Sequence, residues 1–177
     1  KNPDLARLCL DAGAHGVTCA KLGEAEVMAD GGITDILVAN EIVGAKKIAR
    51  LVDLCKRADI MVCVDQLDNA QQIDKAARVA GVRPRVLVEV DVGMGRAGIQ
   101  PGAAAVELAS QVSGLGNIRF VGLQTWESHT VAISDTDEKK RQILIALSQL
   151  NDTAERIRCT GIPVDIVSCG GSGTYWI

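Results

Sequence analysis

The chain reads as an α/β protein built on a parallel sheet. Six short runs rich in Val, Ile and Leu, six amphipathic segments between them, and their strict alternation carry this reading. The runs are apolar on both faces, as strands are when helices cover a sheet. Aromatic residues make up only 2% of the chain, so the core must come from Val, Ile, Leu and Ala.

The elements follow in order. Apolar residues at helical spacing predict helices over 4–12, 23–30, 45–57, 68–80, 103–112 and 138–158. Glycines at 13, 31 and 32, 81, 114 and 161 supply stops, because glycine accepts the left-handed conformation that closes a helix. The strands fall at 16–20, 35–40, 60–65, 85–92, 119–125 and 164–168. An open doubly wound sheet and a (β/α)8 barrel both fit six such units, and in both, ligands bind at the C-terminal ends of the strands. Polar residues collect there: Lys21, Asn40, Asp65, Asp91, Gln124, Thr125 and Glu127. The longest strand-to-helix loop runs from Thr125 to about Thr136, a usual place for function.

Charge and composition exclude several classes. A net charge of -3 argues against a nucleic-acid-binding domain, which would show a basic face. No apolar run approaches the roughly 18 residues that cross a bilayer, and the first residues carry no secretory signal. The six cysteines have no C-x-x-C spacing and read as small buried thiols in a reducing cytoplasm.

Two glycine-rich loops carry the chemistry. Gly93-Met-Gly-Arg-Ala-Gly98 follows a strand and matches G-x-G-x-x-G. It is not read as a dinucleotide fingerprint: Pro101 and Gly102 delay the next helix, and no acidic residue lies about 20 positions on to hold a ribose. It is a glycine-rich turn, or a loop that presents Arg96 to an anionic or electron-rich ligand. Ser168-Cys-Gly-Gly-Ser-Gly-Thr174 follows the last strand. Its backbone N–H groups can form an anion nest, with Ser172 and Thr174 adding hydroxyls, and a plain turn is the alternative. Of the two histidines, His15 reads as structural, and His129, in the long loop, as a site candidate.

These stretches resemble a known family. Gly16-Val-Thr-Cys-Ala-Lys-Leu-Gly-Glu-Ala-Glu26, Val88-Glu-Val-Asp-Val-Gly-Met-Gly-Arg-Ala-Gly98, Gly122-Leu-Gln-Thr-Trp-Glu-Ser-His129 and Val167-Ser-Cys-Gly-Gly-Ser-Gly-Thr-Tyr175 occur in the order of the fold-type III pyridoxal-phosphate (PLP) enzymes. The resemblance is strongest to the D-threonine aldolase and D-serine dehydratase group. It implies a partial (β/α)8 TIM barrel of the alanine racemase N-terminal type, spanning residues 1–177, with about six βα units. It also implies a PLP-dependent lyase for D-β-hydroxy amino acids, cytoplasmic and homodimeric, using a divalent Zn or Mn ion. A non-enzymatic PLP-binding protein of the same fold is the alternative. The resemblance assigns Arg96 to the cofactor ring, Gln124 and Trp126 to its surroundings, and Gly171, Ser172, Gly173 and Thr174 to its phosphate. Trp126 replaces a common tyrosine, Ala97 a cysteine and Ser128 a glycine. Lys1 resembles the last lysine of the family's first-strand motif, which would put the Schiff-base lysine just upstream. The last strand and a C-terminal β-domain with the metal ligands would follow Ile177. On this reading the 177 residues alone hold neither a catalytic lysine nor a metal site and would be inactive by themselves.

Overall fold

The computed structural model describes residues 2–177; Lys1, matched above to the family's lysine motif, lies outside the described residues. Helices and strands alternate in the order expected: α1 (Pro3–Asp11), β1 (Val17–Cys19), α2 (Leu22–Asp30), β2 (Asp35–Glu41), α3 (Ala45–Leu54), β3 (Asp59–Val64), α4 (Leu67–Ala80), β4 (Arg85–Glu89), α5 (Ala103–Ser113), β5 (Arg119–Gln124), a 3-10 turn (Ser128–Thr130), α6 (Thr136–Cys159) and β6 (Ile166–Ser168). The strands succeed one another in the sheet in chain order. The chain forms two compact units, Lys1–Val86 with Leu115–Arg119, and Leu87–Gly114 with Phe120–Ile177.

In the first unit β1, β2 and β3 pair in parallel. Ile36, Val38, Ile60, Val62 and Val64 are buried along β2 and β3, and helices bury Leu51, Leu54, Ile73 and Ala77. This is the two-sided burial that continuous apolar strands require. The register sets Asp35 opposite Asp59 at the start of β2 and β3. Arg85, buried at the start of β4, answers both: its Nη2 donates to Asp35 at 2.6 Å and its Nε to Asp59 at 2.8 Å.

In the second unit β5 and β6 pair in parallel, with Gly122 opposite Ile166. A Cβ on Gly122 would stand 1.8 Å from the Ile166 carbonyl oxygen, so this position admits no side chain. Leu87, Val88, Val121, Leu123, Leu150, Ala154 and Ile157 form the core. Asp135 caps α6 by accepting the Glu138 N–H at 2.8 Å.

Several expectations need correction. Strand β4 ends at Glu89 rather than 92, because the chain turns away into a loop tied by Asp91. Helix α3 ends at Leu54, three residues short of 57. Gly114 closes α5 at φ -76, in the right-handed region, whereas Gly81 is left-handed as expected at φ 67. The cysteines are all free, but only Cys19 and Cys63 are buried; Cys9, Cys159 and Cys169 are exposed. Cys9 lies on α1, which buries only Ala6; Cys159 is the last residue of α6, and Cys169 follows β6, whose residues are only half-buried. His15 is exposed two residues before β1, with no packing role.

Candidate functional site

Three loops of the second unit meet at the C-terminal ends of its strands. The first leaves β4 and returns to it. Asp91 donates its N–H to the Ile99 carbonyl at 2.9 Å, and Ile99 donates to Glu89 at 2.9 Å, which closes residues 91–98 into a loop. Inside it the Asp91 carboxylate accepts the N–H groups of Gly93 and Gly95 at 3.0 Å each. Burial alone would raise the Asp91 pKa, but the N–H groups of Gly95, Gly93 and Met94, with His129 nearby, outweigh it and hold it below the ordinary value. Gly98 is obligatory here: its φ is +102, and a Cβ would stand 2.6 Å from the Asp91 nitrogen. Helix α5 begins only at Ala103, so no helix opens within the glycine motif, and Arg96 lies in this loop.

The second loop leaves β5. Gln124 and Thr125 are buried and stitched to their neighbours: the Thr125 hydroxyl donates to the Val90 carbonyl at 2.6 Å, and its N–H to Ser168 at 3.0 Å. Gln124 donates its amide to the Thr125 carbonyl at 2.9 Å, which leaves its buried Oε1 with no donor among the described residues. Trp126 lies at the surface with Arg96 Cζ 5.6 Å from its ring centroid, a cation–π distance. His129 packs its imidazole against Gly93, where a Cβ would come within 3.0 Å of it, and its buried Nδ1 has no partner among the described residues. Ser128 donates to the Met94 sulfur at 2.8 Å, a contact absent from the sequence reading.

The third loop follows β6. A Cβ on Gly171 would stand 2.9 Å from Trp126 Nε1, so the indole lies directly against this glycine. Gly173 is packed in the same way against Val131. The loop is bonded to itself and to Glu127: Gly171 N–H donates to Thr174 Oγ1 at 3.2 Å, and the Thr174 hydroxyl to Glu127 Oε1 at 2.6 Å.

Of the residues expected at the site, Arg96, Trp126 and Gly171 form one contact series, Gln124 ends β5 two residues before Trp126, and Ser172, Gly173 and Thr174 share the loop of Gly171. Lys21 and Asn40 belong to the first unit, where they line a cleft of about 710 Å³ with Glu24, Glu41, Lys47 and Arg50. Sequence reasoning placed Glu127 only among polar loop residues. It is 1% exposed, and nothing in its sequence neighbourhood signals that.

The sequence model of the alanine racemase N-terminal domain matches residues 3–176. The chain belongs to the alanine racemase N-terminal domain family. It carries that fold, six strands of a partial (β/α)8 barrel with alternating helices, so the barrel is the layout and the open doubly wound sheet is excluded. It is 37% identical over 174 residues to a D-threonine aldolase of an Arthrobacter species, covering 98% of this chain and 46% of that protein. It is similar to the crystal structure of D-threonine aldolase from Filomicrobium marinum, with a TM-score of 0.95 and 37% identity, covering 98% of this chain and 47% of the other. The D-threo-3-hydroxyaspartate dehydratase of Delftia sp. HT23 matches with a TM-score of 0.86 and 27% identity, over 98% and 46% of the two chains. This member of the family thus spans about half the length of these relatives.

Proposed function

We propose that this domain holds PLP in the second unit and serves a lyase that acts on D-β-hydroxy amino acids, by aldol cleavage or by loss of the β-hydroxyl. The contact series Arg96, Trp126 and Gly171 carries the reading, because a cation, a flat indole and a residue without a side chain together suit a flat heteroaromatic ring. The residues fit the group in two further respects. Gln124 Oε1 and His129 Nδ1 are buried polar atoms with no partner among the described residues, and a polar ligand would supply one. The Gly170–Thr174 turn presents backbone donors beside a serine, which suits a phosphate.

Each residue then has a task. Arg96 would bias the electron density of the ring. Trp126 fixes the plane of the ring in place of the usual tyrosine and offers an N–H but no hydroxyl. Gln124 orients a ring substituent through its amide. Gly171, Ser172, Gly173 and Thr174 anchor the phosphate. Bound PLP would supply an electron sink for charge developing at the substrate Cα. The D-threonine aldolase and hydroxyaspartate dehydratase relatives support the substrate class. A divalent Zn or Mn ion belongs to the same reading, with no ligand proposed in this chain, as do a homodimer and the cytoplasm; among the described residues no helix is long and apolar enough to cross a membrane.

The test uses the protein as its native gene encodes it, given PLP and Mn²⁺ or Zn²⁺. Turnover of D-threonine, D-serine or D-3-hydroxyaspartate is expected, with kcat lowered in Arg96→Ala. PLP binding without turnover of any of the three would favour the non-enzymatic alternative. Full activity of Arg96→Ala would remove Arg96 from the site.

A further inference from the structure

Glu127 is a buried acid for which the reaction scheme above has no use. It is 1% exposed, and no salt bridge to it occurs among the described residues. Such a group persists only when hydrogen bonds replace its water. Both of its donors come from the loop after β6. The Thr174 hydroxyl donates to Oε1 at 2.6 Å, and the Gly170 N–H donates to Oε2 at 3.1 Å. Two accepting oxygens is the pattern of a carboxylate.

This arrangement sets the direction of every bond in the loop. A threonine hydroxyl has one proton; the Gly171 carbonyl lies 3.3 Å from Thr174 Oγ1, but the Glu127 carboxylate at 2.6 Å is the nearer, charged acceptor and takes it. Thr174 Oγ1 is then left to accept, which it does from the Gly171 N–H at 3.2 Å. The N–H groups of Thr174 and Tyr175 both donate to the Gly171 carbonyl, at 3.1 and 3.0 Å. Five donors are thereby consumed, three within the loop and two by Glu127. The N–H groups of Ser172 and Gly173, at the tip, take no part in these bonds. Glu127 belongs to the loop that carries Trp126, so the two neighbours fix the glycine loop at two points, the indole at Gly171 and the carboxylate at Gly170 and Thr174.

We propose that Glu127 is a positioning residue for a phosphate monoester: by holding Gly170 and Thr174 it leaves the Ser172 and Gly173 N–H groups as the free donors that receive the phosphate. This rests on the cofactor reading above. It also revises the part of Thr174, whose hydroxyl faces inward as a relay between Glu127 and Gly171 and does not point at the ligand.

The experiment compares two probes that lack the reactive aldehyde, 4-deoxypyridoxine 5′-phosphate and 4-deoxypyridoxine, by calorimetry on the natively encoded protein. The wild type should prefer the phosphorylated probe. In Glu127→Gln the amide has one accepting oxygen in place of two, so one loop donor loses its bond or the hydroxyl reverses. Thr174→Val keeps the side-chain shape and removes the relay. Each substitution should raise the Kd of the phosphorylated probe by about tenfold or more, the usual cost of losing a hydrogen bond to a charged group, and leave the unphosphorylated probe within about twofold, a difference below half a kcal/mol. Thr174→Ser, which returns the hydroxyl, should restore most of the phosphate preference. If Glu127→Gln does not fold, Thr174→Val and its serine rescue decide the matter. An unchanged preference in the variants, or an equal loss for both probes, overturns the positioning role and leaves the cofactor reading standing. A wild type with no preference for the phosphorylated probe defeats the cofactor reading itself, and the positioning role with it.

Discussion

Replacing Arg85 with Met tests how the start of the sheet is held. The parallel register puts Asp35 opposite Asp59, and like charges directly across a ladder repel. Arg85 spans both, with bonds of 2.6 and 2.8 Å to the carboxylates and a third of 3.0 Å to the Asp59 carbonyl. A hydrogen bond to a charged group contributes roughly 1.5–3 kcal/mol when both partners are buried. Here the arginine side chain is 9% exposed, but Asp35 is 42% and Asp59 62% exposed, so water recovers much of what the acids lose. That discount brings each bond to about 1 kcal/mol, and the repulsion left behind adds about 0.5 kcal/mol. Arg85→Met, which keeps much of the apolar stem, should therefore cost about 2–3 kcal/mol. With a urea dependence of about 1–3 kcal/mol per molar, the first unit's unfolding midpoint falls by about 1–2 M. The sign of a second substitution is the sharper check. Asp59→Asn should destabilise the wild type, where it weakens a bond to Arg85, and stabilise the Met variant, where it removes a repulsion. A loss under about 0.5 kcal/mol for Arg85→Met, or the same sign for Asp59→Asn in both backgrounds, would show that Arg85 does not hold the two aspartates together.

Two further predictions concern single groups. Asp91 has a depressed pKa in the folded chain, so its contribution is present above the unfolded carboxyl pKa of about 3.9 and is lost as pH falls through the lower folded value. Its carboxyl carbon followed by NMR should titrate below the free aspartate value, and Asp91→Ala should loosen the Arg96 loop at neutral pH at a cost of about 0.5–1 kcal/mol; a titration at or above the free value contradicts the assigned bonds. Burial, with the nearby Asp59 charge, pushes the Cys55 thiol up to about 12, so it should resist iodoacetamide at pH 8 while Cys9 and Cys159 are alkylated. Peptide mapping that finds Cys55 labelled as fast as Cys9 would contradict that environment.

Most of the fold was legible in the residues because its signals are local. Six apolar runs and six amphipathic segments became six strands and six helices, with ends displaced by a few residues. The ends moved where side chains from the loops decide them: Asp91 draws the chain out of β4 three residues early, and Asn2 caps α1 so that it starts at Pro3, one residue before the expected start. The cysteines were misjudged for a related reason. A thiol's burial depends on which helix face meets the sheet, and α1 turns Cys9 outward.

The site divides in the same way. The glycine-rich loops, Arg96 and Trp126 stand out by composition and motif, and family resemblance orders them along the chain. Their meeting does not stand out, because it joins residues from three strand ends. Glu127 shows the limit most clearly. A glutamate in a polar loop has no local mark of burial, and only the return of the chain more than forty residues later, bringing Gly170 and Thr174, pairs its two oxygens. From its sequence alone this protein is an alternating α/β chain with an aliphatic core and two glycine loops, since periodicity and backbone freedom act over a few residues. Which loops meet, which acid is buried and where each hydroxyl proton points were decided only by the tertiary fold, since hydrogen-bond partners are chosen by distance in space.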